Sequence, residues 1–154
     1  MRVIDAYCGI GTIALPIAAH GHSVTGLEIS SASIRHAQRN ASRNNLQNTE
    51  FIDGDVIKHL QELLPHHDAL VVDPPRKGLS PDVLAMILKQ PPHLLAYLSC
   101  DPATLARDLR ELASDQGPYK IEAIQPMDFF PQTSHLECLV LMRSIICAAQ
   151  PGTA

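Results

Sequence analysis

The chain contains no tryptophan, and aromatic residues make up only 4% of its 154 residues. That excludes a broad aromatic platform for stacking single-stranded bases. Positive charge is also scarce: 12 Lys and Arg against 16 Asp and Glu leave a net charge of −4 with histidines neutral. A domain of this charge does not grip nucleic acid by bulk electrostatics, so an RNA substrate would need basic parts outside these residues. The four cysteines, Cys8, Cys100, Cys138 and Cys147, include no CxxC pair. A disulfide framework and a zinc knuckle are therefore not expected, and a reducing, cytoplasmic setting is. No apolar run approaches the ~20 residues of a membrane span, and Asp5 interrupts the N-terminal one, so neither a span nor a signal peptide is expected. The histidines are scattered. The pairs His20/His22 and His66/His67 lack the company of a metal site, are expected at the surface, and no metal is expected. What is present is an ordinary globular composition, 45% apolar and 18% charged, in a length suited to one domain.

Short β-branched runs alternate with helical periodicity. Strands are expected over Val3–Tyr7, Ser23–Glu28, Thr49–Ile52, Ala69–Asp73, Leu94–Ser99, Ile121–Pro126 and Leu136–Arg143. Helices are expected over Thr12–Ala19, Ser31 to about Asn44, Val56–Leu64, Pro81–Lys89 and Pro102 to about Ser114. Ile34, Ala37 and Ala41 mark the apolar face of the second helix. Arg35, Arg39 and Arg43 stack on another face, which reads as a solvated stripe and also offers the best local phosphate contact. Strand–helix alternation demands a parallel sheet covered on both faces. The last two strands have no helix between them, which predicts an antiparallel hairpin at one edge. Seven strands with a terminal hairpin is the α/β, Rossmann-like pattern of class I methyltransferases.

Four segments carry the chemistry. Asp5-Ala6-Tyr7-Cys8-Gly9-Ile10-Gly11 is a glycine turn after the first strand, where backbone can approach a ligand. Gly9, Gly11 and Ala14 fit the loose dinucleotide fingerprint, which is weak alone. Glu28, at the end of the second strand, is placed to accept both ribose hydroxyls of an adenosine. NAD and S-adenosylmethionine both fit to this point. Asp73-Pro74-Pro75-Arg76-Lys77-Gly78 puts a carboxylate beside a rigid proline pair at a strand's carboxyl end. Amino-methyltransferases have an aromatic residue where Arg76 stands, so methylation of an exocyclic amine is disfavoured. Cys100 sits between a strand and a helix whose expected cap is Asp101, the setting of a reactive thiol. The other cysteines read as small core residues. Glu137 opens an otherwise apolar strand and should face the same crevice as Cys100, either as a satisfied structural group or as a base. His135 is the rival base, and Cys8, beside the glycine turn, is the next nucleophile.

In this order and spacing, the segments resemble the RNA (uracil-5-)-methyltransferase family, which makes 5-methyluridine in 23S ribosomal RNA and transfer RNA. The run Ser99-Cys100-Asp101-Pro102-Ala103-Thr104-Leu105-Ala106-Arg107-Asp108-Leu109 and the run Phe129 to Glu137 carry the resemblance, which extends from Val3 to Met142. The segment Asp73–Leu79 looks most like the bacterial ribosomal-RNA branch. The resemblance implies Cys100 as nucleophile and Glu137 as base. It implies Tyr7, Gly9, Gly11, Thr12, Glu28, Asp55 and Asp73 around S-adenosyl-L-methionine, and RNA, ribosomal more than transfer, as substrate. It further implies residues 1–146 as a catalytic domain with 147–154 as a flexible tail. The family's N-terminal RNA-binding barrel and iron–sulfur cysteines are not among these residues. A dehydrogenase domain, or an inactive methyltransferase-fold remnant, are the alternatives. The first leaves Cys100, Glu137 and the terminal hairpin unexplained.

Overall fold

The computed structural model describes residues 1–129, 131–133 and 136–146. In chain order the elements are β1 (Arg2–Ala6), α1 (Ala14–Ala19), β2 (Ser23–Glu28), α2 (Ser31–Arg43), β3 (Thr49–Asp53), α3 (Val56–Leu63), β4 (Ala69–Val72), α4 (Pro81–Lys89), β5 (Leu94–Ser99), α5 (Pro102–Leu112), β6 (Tyr119–Met127) and β7 (Glu137–Ser144). A 3₁₀ turn over Leu64–His66, not expected from the sequence, follows α3 around Pro65. The strands form one seven-stranded sheet ordered β3-β2-β1-β4-β5-β7-β6. The first five are parallel, and β7 inserts antiparallel between β5 and β6. This is the seven-stranded methyltransferase architecture with its terminal hairpin. The edge strand β6 contains Pro126, tolerated there because an edge strand can do without one ladder donor.

Strand alternation divides the core. Ile4, Ala6, Leu70 and Val72 face α3, α4 and α5, packing with Leu60, Val83, Ile87, Leu105 and Leu112. Val3, Val24 and Val71 face the other way, against Ala14 and Ala18 of α1. Four helices begin at side-chain caps. Ser30, Asp55, Ser80 and Asp101 each accept a backbone N–H of the first turn, satisfying donors that a helix start leaves open. Pro81 and Pro102 stand in first turns, where a missing N–H costs nothing.

The order of the sheet reverses between β1 and β4, because the chain leaves β1 for β2 on one side and later builds β4 on the other. Ligands of open α/β sheets bind outside the carboxyl ends of the strands at such a point. Glu28, Asp73, Cys100 and Glu137 stand at strand ends along that edge.

Two expectations change. The first helix begins at Ala14 rather than Thr12, because the Gly9–Ile13 segment coils into turns, closed by Gly11 N–H to the Cys8 carbonyl at 2.9 Å. His67 and His22 are half-buried rather than surface residues. His67 bridges the Thr25 hydroxyl and the Leu63 carbonyl, at 3.1 and 2.7 Å, and burial pulls its pKa below the usual histidine value. Cys147 and the tail lie outside the described residues. No helix among those described is long and apolar enough to cross a membrane.

Candidate active site

Immediately after β1 the backbone enters the left-handed region at Tyr7, with φ 68°, and again at Gly9 and Gly11, with φ 55° and 89°. For a tyrosine this conformation costs on the order of 1–3 kcal/mol and marks a segment held by its surroundings. The Tyr7 ring packs against the main core while its phenol is half-buried. Burial raises the phenol pKa, and the Asp55 carboxylate adds to the rise. Asp55 thus caps α3 through Ile57 N–H at 3.1 Å and faces Tyr7 at the same time. A side chain at Gly11 would meet Leu15 at 3.1 Å, so both conformation and space select glycine there.

Glu28 ends β2 and turns towards the glycine loop. One oxygen accepts from Gly9 N–H at 3.2 Å and the other from Ser30 N–H at 2.8 Å. Each oxygen retains a second lone pair, so the two backbone bonds aim the carboxylate without exhausting it. Thr12 is exposed in the turn before α1, at the rim of this group.

Asp5 opens the glycine motif, and nothing in the sequence marks its surroundings. It is fully buried on the α1 face of β1, and neither carboxylate oxygen has a hydrogen-bond partner. The Ala14 amide lies near enough to lower its pKa without closing a bond of good geometry. Desolvation dominates and, with the Asp73 charge, pushes the Asp5 pKa up to about 7. A carboxyl raised in the folded state weakens folding as pH climbs from the unfolded value, 3.8, to the folded one. Below that window both states are protonated and above it both are ionised. Asp5→Asn should therefore gain stability over the wild type as pH rises from 4 to 7, by several kcal/mol at about 1.4 per pKa unit, and keep that gain above. Thermal melts of both proteins across this range check it; a difference that does not vary with pH contradicts it.

The other half of the site comes from β5, β7 and β4. The last paired residues of β5 and β7 are Ser99 and Cys138. Carried one residue further, the antiparallel register sets Cys100 opposite Glu137. Both are half-buried. Cys100 is bracketed by Ser99 and Asp101: the Ser99 hydroxyl donates to the Asp101 carbonyl at 3.0 Å and accepts from its N–H at 3.1 Å. The Asp101 side chain accepts from Ala103 and Thr104 N–H at 2.9 and 3.1 Å, so its charge is committed to the helix cap. Asp73 stands at the end of β4 between the two halves. Although Asp73 is solvent-accessible, neighbouring atoms desolvate its carboxyl and the Glu137 charge adds repulsion, and both raise its pKa. Glu137→Gln should therefore lower the Asp73 pKa, read by NMR titration of the Asp73 carboxyl carbon; an unmoved titration would separate the two groups.

Cys8, the alternative nucleophile, sits in a setting that disfavours its thiolate. It is buried against Gly26, and burial, with Asp5 and Glu28 nearby, pushes its pKa up to about 12. Cys138 is buried as well. His135 lies outside the described residues. Arg35, Arg39 and Arg43 are all exposed on α2.

The tRNA (uracil-5-)-methyltransferase family matches residues 57–145, and a general methyltransferase domain matches residues 3–90. An uncharacterized RNA methyltransferase of Parasynechococcus marenigrum is 58% identical over 144 residues, covering 93% of this chain and 31% of that protein. Another from Bacillus cereus is 47% identical over 146 residues, with 93% and 31% covered. The chain thus spans about a third of the length of the curated relatives it matches. The Pyrococcus abyssi tRNA (uracil-54, C5)-methyltransferase, solved with S-adenosyl-L-homocysteine, superposes with a TM-score of 0.79 at 32% identity, over 91% of this chain and 33% of that one. An rRNA methylase from Streptococcus thermophilus shares the fold, with a TM-score of 0.67 at 18% identity over 93% of this chain and 86% of that one. The family match spans more than half of the chain and contains Asp73, Cys100 and Glu137: the chain belongs to the tRNA (uracil-5-)-methyltransferase family.

Proposed function

We propose that this chain is the catalytic domain of an enzyme that methylates C5 of uracil in RNA, with ribosomal RNA as the target and S-adenosyl-L-methionine as the methyl donor. The observation that supports this reading is the β5–β7 register, whose last pair, Ser99 with Cys138, leaves Cys100 and Glu137 at adjoining strand ends, with the Glu137 charge felt at Asp73. A dehydrogenase domain has no use for that pair. The residues present fit the cofactor. It is a sulfonium cation, and the edge offers Glu28, Asp55 and Asp73, with the orphaned carboxylate of Asp5 beneath them. Glu28, already aimed by two backbone N–H groups, would take the ribose hydroxyls; Tyr7, Gly9, Gly11 and Thr12 line the turn above it.

When bound, the cofactor supplies an electrophilic methyl group. C5 of uracil is too weak a nucleophile to take it unaided. The Cys100 thiolate adds to C6, forming a C–S bond and moving the ring's π electrons to C5 and the O4 enolate. C5 would then take the methyl group as its bond to the donor's sulfonium sulfur breaks, with that electron pair left on sulfur in the demethylated product. The C5 proton passes to Glu137, the electron pair of that C–H bond restores the C5–C6 double bond, and the thiolate of Cys100 leaves. Covalent catalysis divides one difficult substitution into easier steps. The target base has to leave its stack to reach both residues. With a net charge of −4, the domain relies on parts outside it to hold RNA.

The resemblance of the Asp73–Leu79 segment to the ribosomal branch supports rRNA. The likeness to the Pyrococcus protein, whose target is a tRNA uracil, supports a second reading on tRNA. Nucleoside analysis after reaction with unmodified 23S rRNA and with unmodified tRNA tests both. 5-Methyluridine in rRNA alone is expected; in tRNA alone it would move the target, and in neither it would refute the reading.

A further inference from the structure

Helix α5, which starts two residues after Cys100, is bolted to the segment that follows Asp73. Asp108 is almost wholly buried between Leu105 and Leu112 on the inner face of α5. Its Oδ2 accepts from the Tyr97 hydroxyl at 2.6 Å and from Leu79 N–H at 2.9 Å. Its Oδ1 accepts from Arg107 Nε at 2.9 Å. The Arg107 Nη2 in turn donates to the Lys77 and Leu79 carbonyls at 2.9 and 3.3 Å. One turn earlier, the Thr104 hydroxyl donates to the Arg76 carbonyl at 3.0 Å. The approach is close enough to require glycine at 78: a Cβ there would stand 2.7 Å from both Arg107 Nη2 and Asp108 Oδ2, and the φ is +75°.

A buried charge is a poor way to fill a core position, since an apolar residue of similar size packs as well without desolvating a carboxylate. What this charge does is geometric. Every bond it makes or organises ends on β5, on α5 or on the backbone between Lys77 and Leu79. Asp73 and Arg76 enter that backbone from one side. Cys100, fixed between Ser99 and Asp101, leads into α5 from the other. Resting on the uracil C5 reading above, we propose that the Arg107–Asp108 pair is a positioning clamp that fixes the Asp73–Leu79 segment relative to the Cys100 nucleophile, and so sets the spacing between cofactor and thiol. Neither residue touches the reacting atoms.

In Asp108→Asn an amide nitrogen faces Arg107 Nε, donor against donor, and the bridge to the Lys77 and Leu79 carbonyls opens. Three readouts in the full-length enzyme separate positioning from plain folding. Amide exchange should rise together in residues 76–79 and 101–104, and not across the rest of the sheet. S-Adenosylhomocysteine affinity by calorimetry should fall by no more than about threefold, far less than the adduct rate, because Glu28 and Asp55 stand on β2 and α3 and only Asp73 lies in the released segment. Adduct formation with 5-fluorouridine RNA should slow by about 10- to 100-fold, the scale of a small misplacement at a reacting centre. Arg107→Met opens the same bridge from its exposed end, Arg107 being 55% exposed, and leaves Asp108 Oδ2 its bonds to Tyr97 and Leu79; it decides the matter if Asp108→Asn does not fold. A wild-type adduct rate in the folded Arg107→Met protein overturns the clamp, as does exchange that rises on one side only or uniformly over the domain. Should the wild type form no adduct, the uracil reading fails, and paired exchange in the two segments alone still upholds or overturns the clamp.

Discussion

Cys100→Ala is expected to abolish both methyl transfer and any covalent RNA complex, a loss of at least about a thousandfold, the scale seen when a covalent nucleophile is removed from other enzymes. Without the thiolate nothing pushes electron density onto C5. The fold should survive, because Cys100 is only half-buried and Ala fits the same backbone. The cofactor half of the site belongs to β1, β2 and α3 and lies outside the change, so S-adenosylhomocysteine should bind Cys100→Ala as it binds the wild type. The combination to look for is unchanged calorimetric binding with no methylated nucleoside. Retained methylation would move the nucleophile elsewhere, with Cys8 the next to test although burial raises its pKa.

Glu137→Gln should fail at a different step. Addition of Cys100 and transfer of the methyl group need no base at C5. Removal of the C5 proton does, and an amide does not take it. A methylated protein–RNA complex should therefore build up, visible as a shifted band on a denaturing gel with ordinary uridine RNA, while turnover falls by about 10²- to 10⁴-fold, the usual worth of a general base. Normal turnover in this variant would place the base elsewhere, with His135 first. Loss of both turnover and adduct would give Glu137 an earlier role, in setting the charge around Asp73.

The fold was legible because its signals are local. Alternating apolar runs, polar caps such as Asp101 and first-turn prolines mark most elements to within two residues, and the absence of a helix between the last two strands marks the hairpin. Boundaries shifted where local rules compete. Thr12 would suit a helix start, but the positive φ at Gly11 keeps the chain in turns until Ala14. Within the site, Glu28, Asp73, Cys100 and Glu137 were legible from their places at strand ends, since a parallel sheet gathers those ends at one edge. Asp5 was not, because a carboxylate inside a strand gives no sign in sequence of whether its side chain meets a partner. The Arg107–Asp108 pair escaped for a related reason. The helical spacing Leu105, Asp108, Leu112 does place a charge on a buried face, but its partners, Tyr97 and the backbone at 77–79, are brought there only by tertiary packing.

The central claim, that Cys100 forms a covalent bond to a uracil during methyl transfer, is tested most directly by mass spectrometry on the denatured complex. The full-length enzyme is incubated with S-adenosylmethionine and RNA carrying 5-fluorouridine, where fluorine cannot leave as a proton does, and then digested with protease and nuclease. The peptide containing Cys100 should carry one nucleotide of 5-fluorouracil with an added methyl group. Methylated RNA without any such adduct, or a nucleotide found on Cys8 or Cys138 instead, would contradict it.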